Sequence, residues 1–178
     1  VSEYCGLTID DIDFVNRKIS VNKQLVYGQN RKLCIAPPKT KTSVRDIPIT
    51  DKIYGNLKNL VDSAKQSNII NAVDGYCGFI ALKPNGKVQM YLDLDMLFKR
   101  IKKAYNKANP QNPIDNFSPH ILRHTFCTNM IDYGLDVKSL QYIMGHSNAT
   151  ITLNVYAHAS YDNASRKIFD LIDGKHAV

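Results

Sequence analysis

The sequence predicts a mainly α-helical domain with a small antiparallel β-sheet near its N-terminal side, an α+β fold. Three observations predict it. Two alternating stretches, 18–27 and 32–40, flank a Gly-Gln-Asn-Arg-Lys turn, as the strands of a hairpin do. Two long segments, 51–66 and 92–108, repeat apolar residues at helical spacing. Beyond residue 117, cap residues and glycines cut the chain into short helical lengths.

The opening VSEYCGLTIDDIDF reads as the last turns of a helix stopped near Gly6. After the hairpin, SVRDIPIT follows as a third short strand. In 51–66, Ile53, Leu57, Leu60, Val61 and Ala64 share a face, with Asp51 as the expected cap. GFIALKPNGKVQM predicts a short strand, a turn at Pro84-Asn85-Gly86 and an extended piece. In 92–108, Leu94, Leu97, Phe98 and Ile101 form the apolar face, and Pro110 and Pro113 close the helix. Ser118 caps the next helix, Pro119 fits its first turn, and Gly134 ends it. A second helix is capped by Asp136 and ended by Gly145. ATITLNVYAHA and YDNASRKIFDLID predict two more. No internal repeat or low-complexity segment interrupts the pattern.

A chain of 178 residues suffices for one domain with its own core. Its 44% hydrophobic and 22% charged content marks it as globular. It contains no apolar run long enough to span a bilayer and no signal peptide, so a soluble protein is expected. Cys5, Cys34, Cys77 and Cys127 lack C-x-x-C spacing and read as reduced thiols of a cytosolic protein. A net charge of +7 suits a polyanionic partner without demanding one.

The chemistry-bearing stretch is SPHILRHTFCTNM. His120 and Arg123 are three apart at a helix start, where backbone N–H groups and the helix dipole favour an anion. Arg offers a planar fork for two phosphate oxygens, and His moves protons near neutral pH. Unspecialised surface side chains are the plain alternative. His124 completes the i, i+4 spacing of a zinc protease, but HILRH lacks the glutamate, and an arginine beside a dication repels it. No metal site is expected. His146 follows the helix-ending Gly145, and Tyr156 comes ten residues later. His, Arg, His and Tyr without a metal motif or P-loop suit attack of a phenol oxygen on a phosphodiester. Guanidinium groups stabilise the extra charge of the pentavalent transition state, and a lysine protonates the leaving alkoxide. PPKTKTSVRDIP offers Lys39 and Lys41 for that task, unless both belong to a solvated basic turn. The covalent link conserves bond energy, so no cofactor is required.

PHILRHTF, LQYIMGHSNATITLNVYAH and PPKTKTSVRDIPI together resemble the tyrosine recombinases, the phage integrase family. The likeness is nearest to integrases of Tn916-like conjugative transposons and of phages of Gram-positive bacteria. It covers nearly all of residues 1–178, within the family's C-terminal catalytic domain. The resemblance implies site-specific DNA recombination through a 3′-phosphotyrosine, for integration or excision of a mobile element. Tyr156 is implied as nucleophile, Arg123 as the second catalytic arginine, and His120 as the group that helps deprotonate the tyrosine. His146 would hydrogen-bond the scissile phosphate. Lys39, preferred to Lys41, resembles the β-hairpin lysine that protonates the 5′-hydroxyl. Glu3 resembles the acidic residue after the first catalytic arginine, and His124 has a supporting place.

The family pattern puts that first arginine directly before Val1, so a catalytic domain truncated at its N-terminus, without its DNA-binding domains and inactive by itself, is expected. Double-stranded DNA is the implied partner, bound by a homo-tetramer with possible DNA-bending accessory factors in the bacterial cytoplasm at the nucleoid. Ile168, Phe169, Leu171 and Ile172 would serve docking to a neighbouring protomer or packing within the chain. Two other readings stand beside recombination: a type IB topoisomerase-like nicking-closing enzyme, and a catalytically dead DNA-binding fragment.

Overall fold

The computed structural model describes residues 1–67, 69–148, 150 and 169. Helix α1, Ser2–Cys5, ends at Gly6 as expected. It lies flat on strand β3, Gln24–Tyr27. A Cβ at Gly6 would stand 2.9 Å from the Leu25 amide nitrogen, so this close crossing of two backbones requires glycine.

The strands form two small antiparallel sheets. Strands β1 (Ile12–Asp13), β2 (Lys18–Val21) and β5 (Arg45–Pro48) make one, in the order β1-β2-β5. Strands β3 and β4 (Leu33–Ala36) make the other, with Leu25 opposite Ile35. The stretch 18–27, expected as one strand, is therefore two, divided at Asn22 and Lys23. At the break the Lys23 amine turns inward onto the buried carboxylate of Asp11, which Asn22 also donates to at 3.2 Å. Asp11 in turn accepts the Thr8 amide and hydroxyl, both at 2.8 Å. A buried ion pair held by extra hydrogen bonds compensates its desolvation, and here it redirects the strand.

Helix α2, Asp51–Gln66, has the predicted bounds and buries Leu57 and Val61. Its cap differs from expectation. Thr50 is the N-cap, and Asp51 is the first helical residue, where its carboxylate meets Arg17 at 3.0 Å. An acidic first turn suits the helix dipole. Residues 79–88 run as bridged extended pieces, Thr8 with Phe79 and Leu82 with Val88, around a turn at Gly86.

Helix α3, Tyr91–Ala108, buries none of its residues fully. Leu94 packs on the core, and Phe98 stacks on Phe117 at 4.9 Å between ring centroids, whereas Leu97 and Ile101 are exposed. Helices α4 (Pro119–Asp132) and α5 (Val137–Met144) pack together around Cys127, Ile131, Leu140 and Met144. Ser118, Asp136, Gly134 and Gly145 cap and end them as expected. The last two predicted helices, with Tyr156, Ile168, Leu171 and Ile172, lie outside the described residues. Phe169 is described, and it is exposed. Among the described residues no helix is long and apolar enough to cross a membrane.

Candidate active site

Two more clusters fill the N-terminal part. Cys5, Leu25, Val73, Phe79, Val88 and Met90 form one, and Leu7, Ile49, Leu57, Val61 and Ile80 the other. Together with the α4–α5 cluster they hold the walls of a cleft of about 730 Å³. Val1, Ser2 and Glu3 form one wall, Lys39 and Ser43 another, and Ser118, Pro119, His120 and Arg123 a third. Tyr91 and Asp95 from the start of α3 and Gln24 of β3 complete it.

The N-terminus of α4 opens into this cleft. Ser118 accepts the Ile121 amide at 3.3 Å, and Pro119 lacks an N–H to satisfy. The helix thus presents its positive end beside two side chains of its own, His120 and the cationic Arg123. Arg123 donates through Nη2 to the Met144 carbonyl at the end of α5. Burial, then the Arg45 guanidinium, pulls its pKa below the usual arginine range, while Glu3 pushes the other way.

Lys39 sits in the loop between β4 and β5. These strands belong to different sheets, so the expected hairpin tip is instead a crossover between sheets. The crossover is stitched at both ends. Gln24 donates to the Pro37 carbonyl at 3.0 Å, and Thr40 shares hydroxyl hydrogen bonds with Thr42 at 2.9 Å and Ser43 at 2.8 Å. Lys39 reaches the cleft, whereas the exposed Lys41 is not part of its wall.

Glu3 is also on the wall, and its carboxylate binds Arg45. Arg45 is buried on β5 and uses four N–H groups. Nη1 and Nη2 meet the two Glu3 oxygens at 3.2 and 2.9 Å, Nη1 also donates to Ser43 O at 2.7 Å, and Nε donates to Ile143 O at 2.7 Å. Arg45 has no role assigned from the sequence. The missed signal was period two: Arg45 shares a strand face with Ile47 and Ile49, and an arginine on an apolar face requires partners.

His146 follows Gly145 and is half-buried. Its backbone is fixed by Gln141, whose carbonyl accepts the His146 amide and whose side chain donates to the His146 carbonyl, both at 3.1 Å. Burial, then the cations of Arg123 and Arg45, lowers its pKa below the ordinary imidazole value. His146 stands beside the cleft and not in its wall. His124 is exposed and also off the wall, so the cleft gathers Glu3, Lys39, His120 and Arg123 from the predicted set. Tyr156 lies outside the described residues.

The phage integrase family model matches residues 1–163. The transposase of transposon Tn916 from Enterococcus faecalis is 38% identical over 164 residues, covering 92% of this chain and 40% of that protein. The tyrosine recombinase XerC of Bacillus subtilis is 28% identical over 160 residues, covering 90% of this chain and 45% of its own. Among solved structures, the Tn1549 transposon integrase in complex with circular intermediate DNA superposes with a TM-score of 0.83 at 41% identity, over 96% of this chain and 55% of that one. XerA recombinase, at a TM-score of 0.63 and 19% identity, shares the fold. The chain therefore spans 40–45% of these two curated relatives. A family model that covers most of the chain, a relative at 38% identity and a shared fold at 41% identity agree, and the chain belongs to the phage integrase family of tyrosine recombinases.

Proposed function

We propose that this chain is the catalytic domain of a site-specific recombinase that integrates or excises a mobile element, cutting and rejoining DNA through a 3′-phosphotyrosine. The carrying observation is the convergence of Lys39, His120 and Arg123 on one cleft at the N-terminus of α4. The phosphodiester enters against the helix start, where Arg123 and the α4 dipole meet its non-bridging oxygens. The Tyr156 oxygen attacks phosphorus and forms the P–O bond to tyrosine. The bond to the 5′-oxygen breaks, and that oxygen takes a proton from Lys39. His120 accepts the phenol proton, because a group with a pKa near about 10 needs a base to react near neutrality. His146 donates to a phosphate oxygen. Guanidinium groups act mainly on the transition state, where charge on the phosphoryl oxygens is greatest. The reverse step, with a new 5′-hydroxyl as nucleophile, reseals the strand without a cofactor.

Double-stranded DNA is the proposed substrate, bound by a homo-tetramer with accessory DNA-bending proteins, in the bacterial cytoplasm at the nucleoid. Relatives named as transposases and recombinases favour paired-site exchange over simple relaxation or a non-catalytic role. The test is Tyr156→Phe in the full-length recombinase, assayed on a suicide DNA substrate that traps the covalent complex. Loss of the trapped complex with DNA binding retained is expected. A trapped complex of native yield would overturn the reading.

A further inference from the structure

Two arginines from different elements are seated on neighbouring carbonyls of one helix end. Arg45 of β5 donates to Ile143 O at 2.7 Å, and Arg123 of α4 donates to Met144 O. These carbonyls lie in the last turn of α5, which has no intrahelical donors left for them. Arg45 is fixed in turn by both oxygens of Glu3 and by Ser43 O. The turn is shaped for it as well. Gly145 ends α5 in the left-handed region at φ 66°, and a Cβ there would stand 2.9 Å from Arg45 Nη1.

We propose that Arg45 is a positioning residue for strand cleavage: it fixes the C-terminal turn of α5, whose next carbonyl seats Arg123, and so places the guanidinium that meets the scissile phosphate. The inference rests on the proposed strand-cleavage reading. Arg45 itself is buried beneath the cleft, with four of its N–H groups taken by protein oxygens. Its effect therefore runs through α5 and Arg123. Lysine cannot replace it, since one ammonium does not span both Glu3 oxygens and two carbonyls.

The test compares Arg45→Lys with the native full-length recombinase on two suicide substrates, one with a normal scissile phosphodiester and one with a methylphosphonate there. The methylphosphonate lacks one charged oxygen and so needs less from a well-placed guanidinium. A misplacement near 1 Å costs about 10²-fold in rate. The expected result is a loss of about that size on the phosphodiester and a much smaller loss on the methylphosphonate, with DNA affinity unchanged. An equal loss on both substrates, or no loss on either, overturns the inference. If Arg45→Lys melts below the assay temperature, Gly145→Asn decides by the same ratio, because Asn tolerates positive φ while its Cβ displaces the Arg45 guanidinium. Tyr156→Phe is run alongside. A live Tyr156→Phe sinks the strand-cleavage reading, whereas a dead one with a native Arg45→Lys sinks only this inference.

Discussion

Arg45 and Lys39 belong to one short segment, yet the structure treats them in opposite ways. Arg45 is buried, with a bidentate carboxylate and two carbonyls around it. Lys39 is exposed at the cleft, and neither it nor His120 pairs with any described side chain. On the proposed mechanism, one side of the site is thus built before substrate arrives, and the other keeps the groups proposed to transfer protons uncommitted. The difference separates two jobs. Groups that place charge must not move, since any slack is lost transition-state stabilisation. Groups that give or take protons must exchange with substrate, and an ion pair would occupy them.

The largest effect that could break this contrast belongs to the exposed wall. Lys39→Ala is expected to slow single-turnover cleavage by about 10²–10⁴-fold, the usual worth of a general acid. Lys41→Ala should stay near native. A substrate whose 5′-bridging oxygen is replaced by sulfur expels a thiolate that needs no proton, so it should restore Lys39→Ala and leave Arg123→Ala slow. Restoration of Arg123→Ala, or a larger loss in Lys41→Ala than in Lys39→Ala, would reverse the assignment of roles to the built and uncommitted groups.

A smaller effect tests the built side. Burial and the Arg123 and Arg45 cations keep His146 neutral to lower pH than a free imidazole. The unfolded chain, with its ordinary value near about 6.5, takes up this proton more readily. The contribution to stability is therefore present above that pH and lost as pH falls below it. Arg45→Met removes one cation, so the His146 pKa rises. The His146 titration followed by NMR should move to higher pH. An unmoved titration would mean that Arg45 and His146 are electrostatically independent.

What the sequence disclosed divides along a related line. The helix bounds around α4 and α5 were legible because Ser118, Asp136, Gly134 and Gly145 act within a turn of themselves. The division of 18–27 into two strands was not, because the carboxylate that turns Lys23 inward is Asp11, beyond the preceding β2 strand. The crossover carrying Lys39 was misread as a hairpin tip for the same reason, since strand pairing is decided by partners distant in sequence. Lys39, His120 and Arg123 could be picked out by residue type and order. Arg45 could not be given a role, because its partners Glu3 and Ile143 lie 42 and 98 residues away.

The smallest effect concerns the helix start where the two sides meet. Ser118 has one structural task, accepting the Ile121 amide at 3.3 Å, and its hydrogen bond is exposed. Replacing such a cap by alanine costs about 0.5–1 kcal/mol, toward the low end because water can take over the amide. Local opening of the first turn of α4 should then become a few-fold more frequent, read as faster hydrogen exchange at the Ile121 amide in Ser118→Ala. His120 and Arg123 ride on that turn, and on the proposed mechanism a substrate phosphate would bind the same N–H groups and re-form it. Exchange should therefore quicken in the free protein and return to the native rate on DNA, with cleavage at saturating DNA unchanged. Faster exchange that persists on DNA would place the phosphate away from the α4 N-terminus, and the division of labour between built and uncommitted groups would have to be drawn around a different anion site.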